Sequence, residues 1–310
     1  MPYKIPDTPA ISSSVCELAD YLELQCLLVG DEYSILTAHK QISLPSDEVD
    51  GEEDSSLMDR LELALGEIEL RDKYCNGRYP FFTKNRSVML KEFGEEHELD
   101  SRVYFYLLLA TRLNMTDRKM ANGVDGALLF ERLSSLVAQQ YFGNKAQTFV
   151  FGTGTKGGFQ EKIPMLAKEM EEGGGYKDPE GSSHREKDGG LDIVVWKPFS
   201  DRKKGKLIGF GQCKTGTDWR NQVWTTTPDD FCKTFFSIQP YVEPVKLFFV
   251  AEQFYQDRER IHRRGGVFFD RCRMMEFLPM PTDIPANLCN DMDVWFEENM
   301  KYVREKYGCD

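Results

Sequence analysis

DGGLDIVVWKPFSDRKKGKLIGFGQCKT, Asp188 to Thr215, reads as two strands joined by a charged turn. Asp192 stands in an apolar run from Leu191 to Lys197. The turn is polar and ends on glycine: Ser200-Asp201-Arg202-Lys203-Lys204-Gly205. A second run, Lys206 to Thr215, carries Gln212-Cys213-Lys214 at its end. Paired residue numbers in an antiparallel hairpin sum to a constant, and a turn centred near Arg202 and Lys203 puts that constant at about 404 to 406. Asp192 then lies opposite Gln212 to Lys214. Strand alternation places Gln212 and Lys214 on one face and Cys213 on the other. An acid, an amide and a lysine meet at one strand end, a set that suits a divalent cation with an ammonium beside it.

Upstream, Asp125 to Gly143 predicts a helix with Asp125 at its N-cap and Gly143 just past its end. Leu129, Leu133, Leu136, Val137 and Gln140 form one stripe of it, and Glu131 lies off that stripe. The neighbours of Glu131 one turn away are Ala127, Leu128, Ser134 and Ser135, mostly small, which leaves room for another element. A strand is expected over Gln147 to Phe151, followed by the glycine-rich turn Gly152 to Gly158. That turn lacks the G-K-[ST] ending of a phosphate loop. Gln160 to Glu172 suits a helix, with Pro164 tolerated only in a first turn. A long polar loop, Gly173 to Gly190, leads into Asp192.

Downstream, Thr227-Pro228-Asp229-Asp230 has the threonine, proline and acids of a helix start, with the helix running to Ile238. Lys246 to Ala251 reads as a buried strand, Gln253 to Arg264 as a basic helix, Val267 to Phe269 as a short strand and Asp291 to Tyr307 as a terminal amphipathic helix. Trp219 and Trp224 suit core packing better than base stacking.

Glu131, Asp188-Gly189-Gly190-Leu191-Asp192 and Gln212-Cys213-Lys214, in that order and on those element types, resemble the PD-(D/E)xK nuclease superfamily. The nearest pattern is its Mrr-like variant, in which glutamine replaces the second acid. The resemblance runs from about Val124 to Val250. It departs from the pattern at Leu191, where proline is usual, and at Gln212, which leaves the site one anion short. It implies an α/β, restriction-endonuclease-like core, a central mixed sheet flanked by helices. It implies a metal-dependent endonuclease that hydrolyses DNA phosphodiester bonds, in restriction or antiviral defence. Glu131, Asp192, Gln212 and the backbone carbonyl of Cys213 would hold Mg²⁺ or Mn²⁺. Lys214 would position the attacking water and stabilise developing charge. A reading from another class stays open: a catalytically weak nucleic-acid-binding or assembly module of a defence complex. RNA also stays open as a substrate.

The 310 residues carry a net charge of −12, but unevenly. Residues 1–120 hold 23 acids and 13 bases, a net of −10, and residues 121–310 hold 28 acids and 26 bases, a net of −2. A nearly neutral half can carry a local basic patch for phosphates, with Arg202, Lys203 and Lys204 or Arg258, Arg260, Arg263 and Arg264 as candidates. The acidic half, 1–120, reads as a mainly helical accessory or partner-binding region, and 121–310 as the nuclease-like domain. Leu57 to Tyr74 and Asp100 to Leu113 are its clear helices, residues 11–40 are ambiguous, and Ser46 to Ser56 reads as an acidic loop. Eight cysteines without a C-x-x-C pair, and four scattered histidines, give no zinc framework. No signal peptide or apolar run of membrane-spanning length is visible, so a cytoplasmic protein with reduced thiols is expected. No ATPase or helicase motif is present, which points to a separate motor or sensor partner or to a homo-oligomer.

Overall fold

The computed structural model describes residues 2–43, 51–92, 95–152, 157–179, 190–223, 227–254 and 258–308, with only the backbone described for 51–54, 95–97 and 258. The chain begins with α1 (Val15–Val29), β1 (Glu32–Ser34), α2 (Ile35–Ser43) and α3 (Gly51–Tyr74). Then come β2 (Phe81–Lys84), β3 (Ser87–Leu90), α4 (Glu95–Arg112) and α5 (Met115–Arg118). A small ribbon, β4 (Met120–Ala121) with β5 (Val124–Asp125), leads to α6 (Gly126–Phe142), β6 (Gln147–Val150) and α7 (Phe159–Met170). The hairpin strands are β7 (Ile193–Trp196) and β8 (Ile208–Lys214). After them lie α8 (Pro228–Phe235), β9 (Val245–Val250), α9 (Arg258–Gly265), β10 (Val267–Phe269), α10 (Arg271–Glu276) and α11 (Ala286–Tyr307). No described helix is long and apolar enough to cross a membrane.

The protein is mixed α/β. A five-stranded sheet runs in the order β10-β9-β8-β7-β6. β6, β7 and β8 are antiparallel neighbours, while β8, β9 and β10 are parallel. Ile193 pairs with Gly211 and Trp196 with Ile208, so the hairpin constant is 404. Alternation sorts the strands onto two cores. Ile193, Val195, Leu247, Phe249 and Phe269 face a core shared with α6, α11 and the N-terminal helices. Val194, Trp196, Ile208 and Phe210 pack with Ile163 and Leu166 of α7 and Phe231 and Phe235 of α8. Phe248, Val250 and Phe268 continue that second face against Ile261 of α9 and Trp219, which is core as expected. Trp224 lies outside the described residues.

Local chemistry explains the helix ends. Asp125 caps α6 by accepting from the amides of Ala127 and Leu128, and Thr227 caps α8 by accepting from Asp230 N. Ser14 and Glu17 form a reciprocal capping box on α1, which settles the ambiguous residues 11–40 as mainly helical. Several expectations need correction: α8 stops at Phe235, short of Ile238, Gln253 and Phe254 lie outside α9, and α11 starts at Ala286, ahead of Asp291. Pro164 stands inside α7, beyond its first turn, and the helix continues through it. Residues 51–56 begin α3 rather than an acidic loop; residues 44–50 lie outside the description. The first 120 residues also hold a three-stranded antiparallel sheet, β1-β3-β2, that the sequence reading did not anticipate.

The N-terminal helices meet the large sheet through a buried ionic hub. Asp20 on α1 accepts from Arg71 on α3 (2.7 Å), Arg112 at the end of α4 (2.7 Å) and both terminal nitrogens of Arg271 on α10 (3.0 Å each). Glu23 accepts from Arg71, Tyr79 and Tyr104. All these side chains are fully buried. Burial works against the Asp20 carboxylate, but Arg271, Arg112 and Arg71 overcome it and hold its pKa far below the usual range. Arg271 also donates to Ala251 O just past β9, so the hub is fastened to the sheet's end.

Candidate functional site

The carboxyl ends of β8, β9 and β10 and the amino end of β7 share one edge of the sheet, the position at which open α/β sheets bind ligands. Asp192 sits there, just before β7. Its backbone carbonyl accepts from Phe151 N (2.7 Å) and Gly152 N (3.0 Å), which ties it to the end of β6. Its Oδ2 accepts from Cys213 N at 2.7 Å, so one carboxylate oxygen is fixed on the Q-C-K strand.

Glu131 reaches this edge from α6. Its carboxylate lies so close to Gly152 that a Cβ at that position would overlap it. Cys213 reports the surroundings electrostatically. Burial pushes its thiol pKa well up, the charges of Asp192 and Glu131 push it further, and a hydrogen bond with Ser134 and the charge of Lys214 pull against them. The thiol is therefore held neutral and faces α6, a packing position rather than a nucleophile. Glu131, Asp192 and Lys214 all lie within electrostatic reach of this one sulfur.

Gln212 is placed differently. Alternation turns its side chain to the α8 face, into a narrow crevice lined by Gly190, Leu191, Phe210, Pro228, Phe231 and Lys246. It is 5% exposed, and its Oε1 is buried without a hydrogen-bond donor among the described residues. Such an orphan acceptor costs about 1–3 kcal/mol unless something else satisfies it. Among the described residues no group of three His, Cys, Asp or Glu side chains could hold a metal. Asp188 and Gly189 lie outside the described residues.

Lys162 on α7 was missed in the sequence. It is 5% exposed, and its ammonium donates to Phe151 O (2.9 Å) and Gly152 O (2.7 Å). The only signal for it was a lysine on the buried stripe with Ile163 and Leu166. The basic hairpin turn, by contrast, lies at the far end of β7 and β8. β8 is seven residues long, so that turn is about 20 Å from the edge. Arg202 is paired with Glu171, and Lys203 lies 3.5 Å from Asp201. These residues are not placed to contact a phosphate at Asp192. On α9, Arg263 sits 3.9 Å from Glu259 in open solvent.

The chain matches no protein-family model, no curated protein and no solved structure.

Proposed function

We propose that the protein is a metal-dependent endonuclease acting on DNA, with a restriction-endonuclease-like core and its site at Asp192, Glu131, Gln212 and Lys214. The observation that carries this reading is the meeting of Glu131 and Asp192 around Gly152 and Cys213, at the sheet edge where Lys214 also ends. The donors that suit a hard cation are the two carboxylates and the Cys213 carbonyl; the Gln212 amide oxygen, without a donor among the described residues, would have to turn out of its crevice to join them. Mg²⁺ or Mn²⁺, when bound, would neutralise phosphate charge and make a water more acidic.

The chain's own residues supply the rest. Asp192 keeps its orientation through the Cys213 amide, which holds its Oδ2 on the Q-C-K strand. Glu131 approaches closely because residue 152 has no side chain. Lys214 brings a cation to orient the attacking water and to stabilise charge developing on phosphorus. The Asp192, Glu131 and Lys214 positions come from three elements, so the constellation depends on the whole core.

Purified protein incubated with plasmid and linear DNA in Mg²⁺, Mn²⁺ or EDTA tests the proposal. Cleavage that needs metal and is lost in Asp192→Asn and Lys214→Ala is the expected result. Full cleavage in both variants overturns the site, and no metal-dependent cleavage of DNA or RNA overturns the activity. One observation favours a second reading, a catalytically weak binding or assembly module: the Gln212 amide sits in an apolar crevice rather than on the carboxylates. DNA affinity that persists in EDTA with a steep salt dependence, without cleavage, would select it. A DNA-facing motor or sensor partner fits either reading, as does a cytoplasmic location.

A further inference from the structure

We propose that Lys162 and Gly152 are positioning residues for the metal site, acting as a clamp that seats Glu131 and Asp192 together. This rests on the nuclease reading and adds two residues that its motifs do not contain. The Phe151–Gly152 segment is held from both sides. Both of its amides donate to the Asp192 carbonyl, at 2.7 and 3.0 Å. Both of its carbonyls accept from the Lys162 ammonium, at 2.9 and 2.7 Å. Four hydrogen bonds thus hold the segment at the strand end. Its one small residue, Gly152, is where the Glu131 carboxylate rests.

Burial of Lys162 is the informative part. A lysine ammonium is almost never this buried unless it is paired, because desolvating it is costly. Asp192 is hydrogen-bonded to the same two residues and Glu131 lies against one of them, so the buried ammonium is seated beside the anionic edge. The ammonium already donates to the Phe151 and Gly152 carbonyls and lies 5% exposed, so it acts through the segment rather than on substrate. Gly152 acts by absence: the Cβ of any other residue would displace the Glu131 carboxylate.

The test measures Mn²⁺ binding to the full chain by calorimetry, with thermal unfolding as a check on the fold. Wild type should bind, and Asp192→Ala should not. Gly152→Ala and Lys162→Met should each weaken Mn²⁺ at least roughly tenfold, a loss set by ligand geometry. Gly152→Ala should also lower Tm, and that loss should vanish in a Glu131→Ala background, where the methyl has room. Wild-type Mn²⁺ affinity in Gly152→Ala, or an undiminished Tm loss in the double variant, overturns the clamp. Tighter Mn²⁺ binding in Lys162→Met overturns the positioning role of Lys162, because it would make the ammonium a competitor for the metal. Should Lys162→Met fail to fold, the Gly152 and Glu131 cycle decides. Wild-type binding in Asp192→Ala would instead overturn the nuclease reading itself.

Discussion

The ionic hub at Asp20 and the sheet edge at Asp192 are built from the same materials and finished differently. Each gathers acids and bases from distant elements onto buried ground. In the hub both Asp20 oxygens are taken by arginines, and Glu23 accepts from Arg71 and two tyrosines. At the edge Asp192 has one oxygen fixed by Cys213 N, and the neighbouring Gln212 Oε1 has no donor among the described residues. The hub leaves Arg112 Nη2 without an acceptor among the described residues, yet its carboxylates are filled, and such a network specifies structure, whereas an acceptor without a donor keeps capacity for a ligand. The difference teaches where to look for chemistry in a chain with many buried charges: at the incomplete cluster, not the larger one.

The largest effect should come from breaking the hub. Asp20→Asn leaves three buried arginines short of a counter-charge and should cost about 3–5 kcal/mol in urea denaturation, without changing Mn²⁺ affinity in the fraction that stays folded. The pH dependence has a matching sign. The Asp20 pKa is lower in the folded than in the unfolded chain, so its stabilisation is complete above the usual aspartate value near ~4 and fades as pH falls below it. Acid unfolding of wild type should therefore show a contribution in that range that Asp20→Asn lacks.

The unsaturated side should respond in rate. Asp192→Asn and Lys214→Ala should each slow cleavage by at least roughly 10²-fold, about 2.7 kcal/mol of transition-state stabilisation, while shifting Tm far less than Asp20→Asn. Equal Tm losses at Asp20 and Asp192 would erase the contrast. Gln212 sharpens it further. Gln212→Leu removes the orphan oxygen and should raise stability by about 1 kcal/mol while weakening Mn²⁺, and Gln212→Glu should do the reverse.

A smaller effect belongs to Lys4, whose ammonium donates to the carbonyls of Thr111 and Leu113 at the end of α4. Burial first, then the Arg112 charge, lowers its pKa from 10.5 to about 8. Between those values the unfolded chain holds the proton more tightly, so this residue makes stability rise with pH across that window, and Lys4→Met should flatten the rise in urea titrations. Least of all should follow from Arg202→Ala and Lys203→Ala in the hairpin turn. Both unfolding and cleavage should stay at wild-type values, because the turn is solvated and at the far end of the sheet.

The sheet was legible because its signals are local. The hairpin register follows from apolar runs and one turn, and the observed constant of 404 lies within the expected range. The caps at Asp125 and Thr227 need only residues three apart. The hub was not legible, since nothing near Asp20 in sequence announces Arg271, and buried arginines look like surface arginines in one dimension. β1, β2 and β3 were hidden for a related reason: strands of three or four residues carry too little alternation to stand out. At the edge, the strand positions of Asp192, Gln212 and Lys214 were readable from the pattern, whereas the turn of the Gln212 side chain into the α8-face crevice was not. Lys162 was not, because an interior lysine on an amphipathic helix resembles any other until its ammonium is seen on two carbonyls.

The pairing of Asp20 with Arg271 spans 251 positions, and it sets a timetable. On the ribosome, the first 120 residues emerge long before Arg271 is added. Until then Asp20 has two of its three arginine partners, and Ala251 at the sheet's end lacks its donor. Long-range closures of this kind are slow and come late in folding. The edge that carries Asp192 and Lys214 is therefore braced only once Arg271 has been added. A product that stops at residue 270 would lack α10 and α11 and leave that edge unbraced.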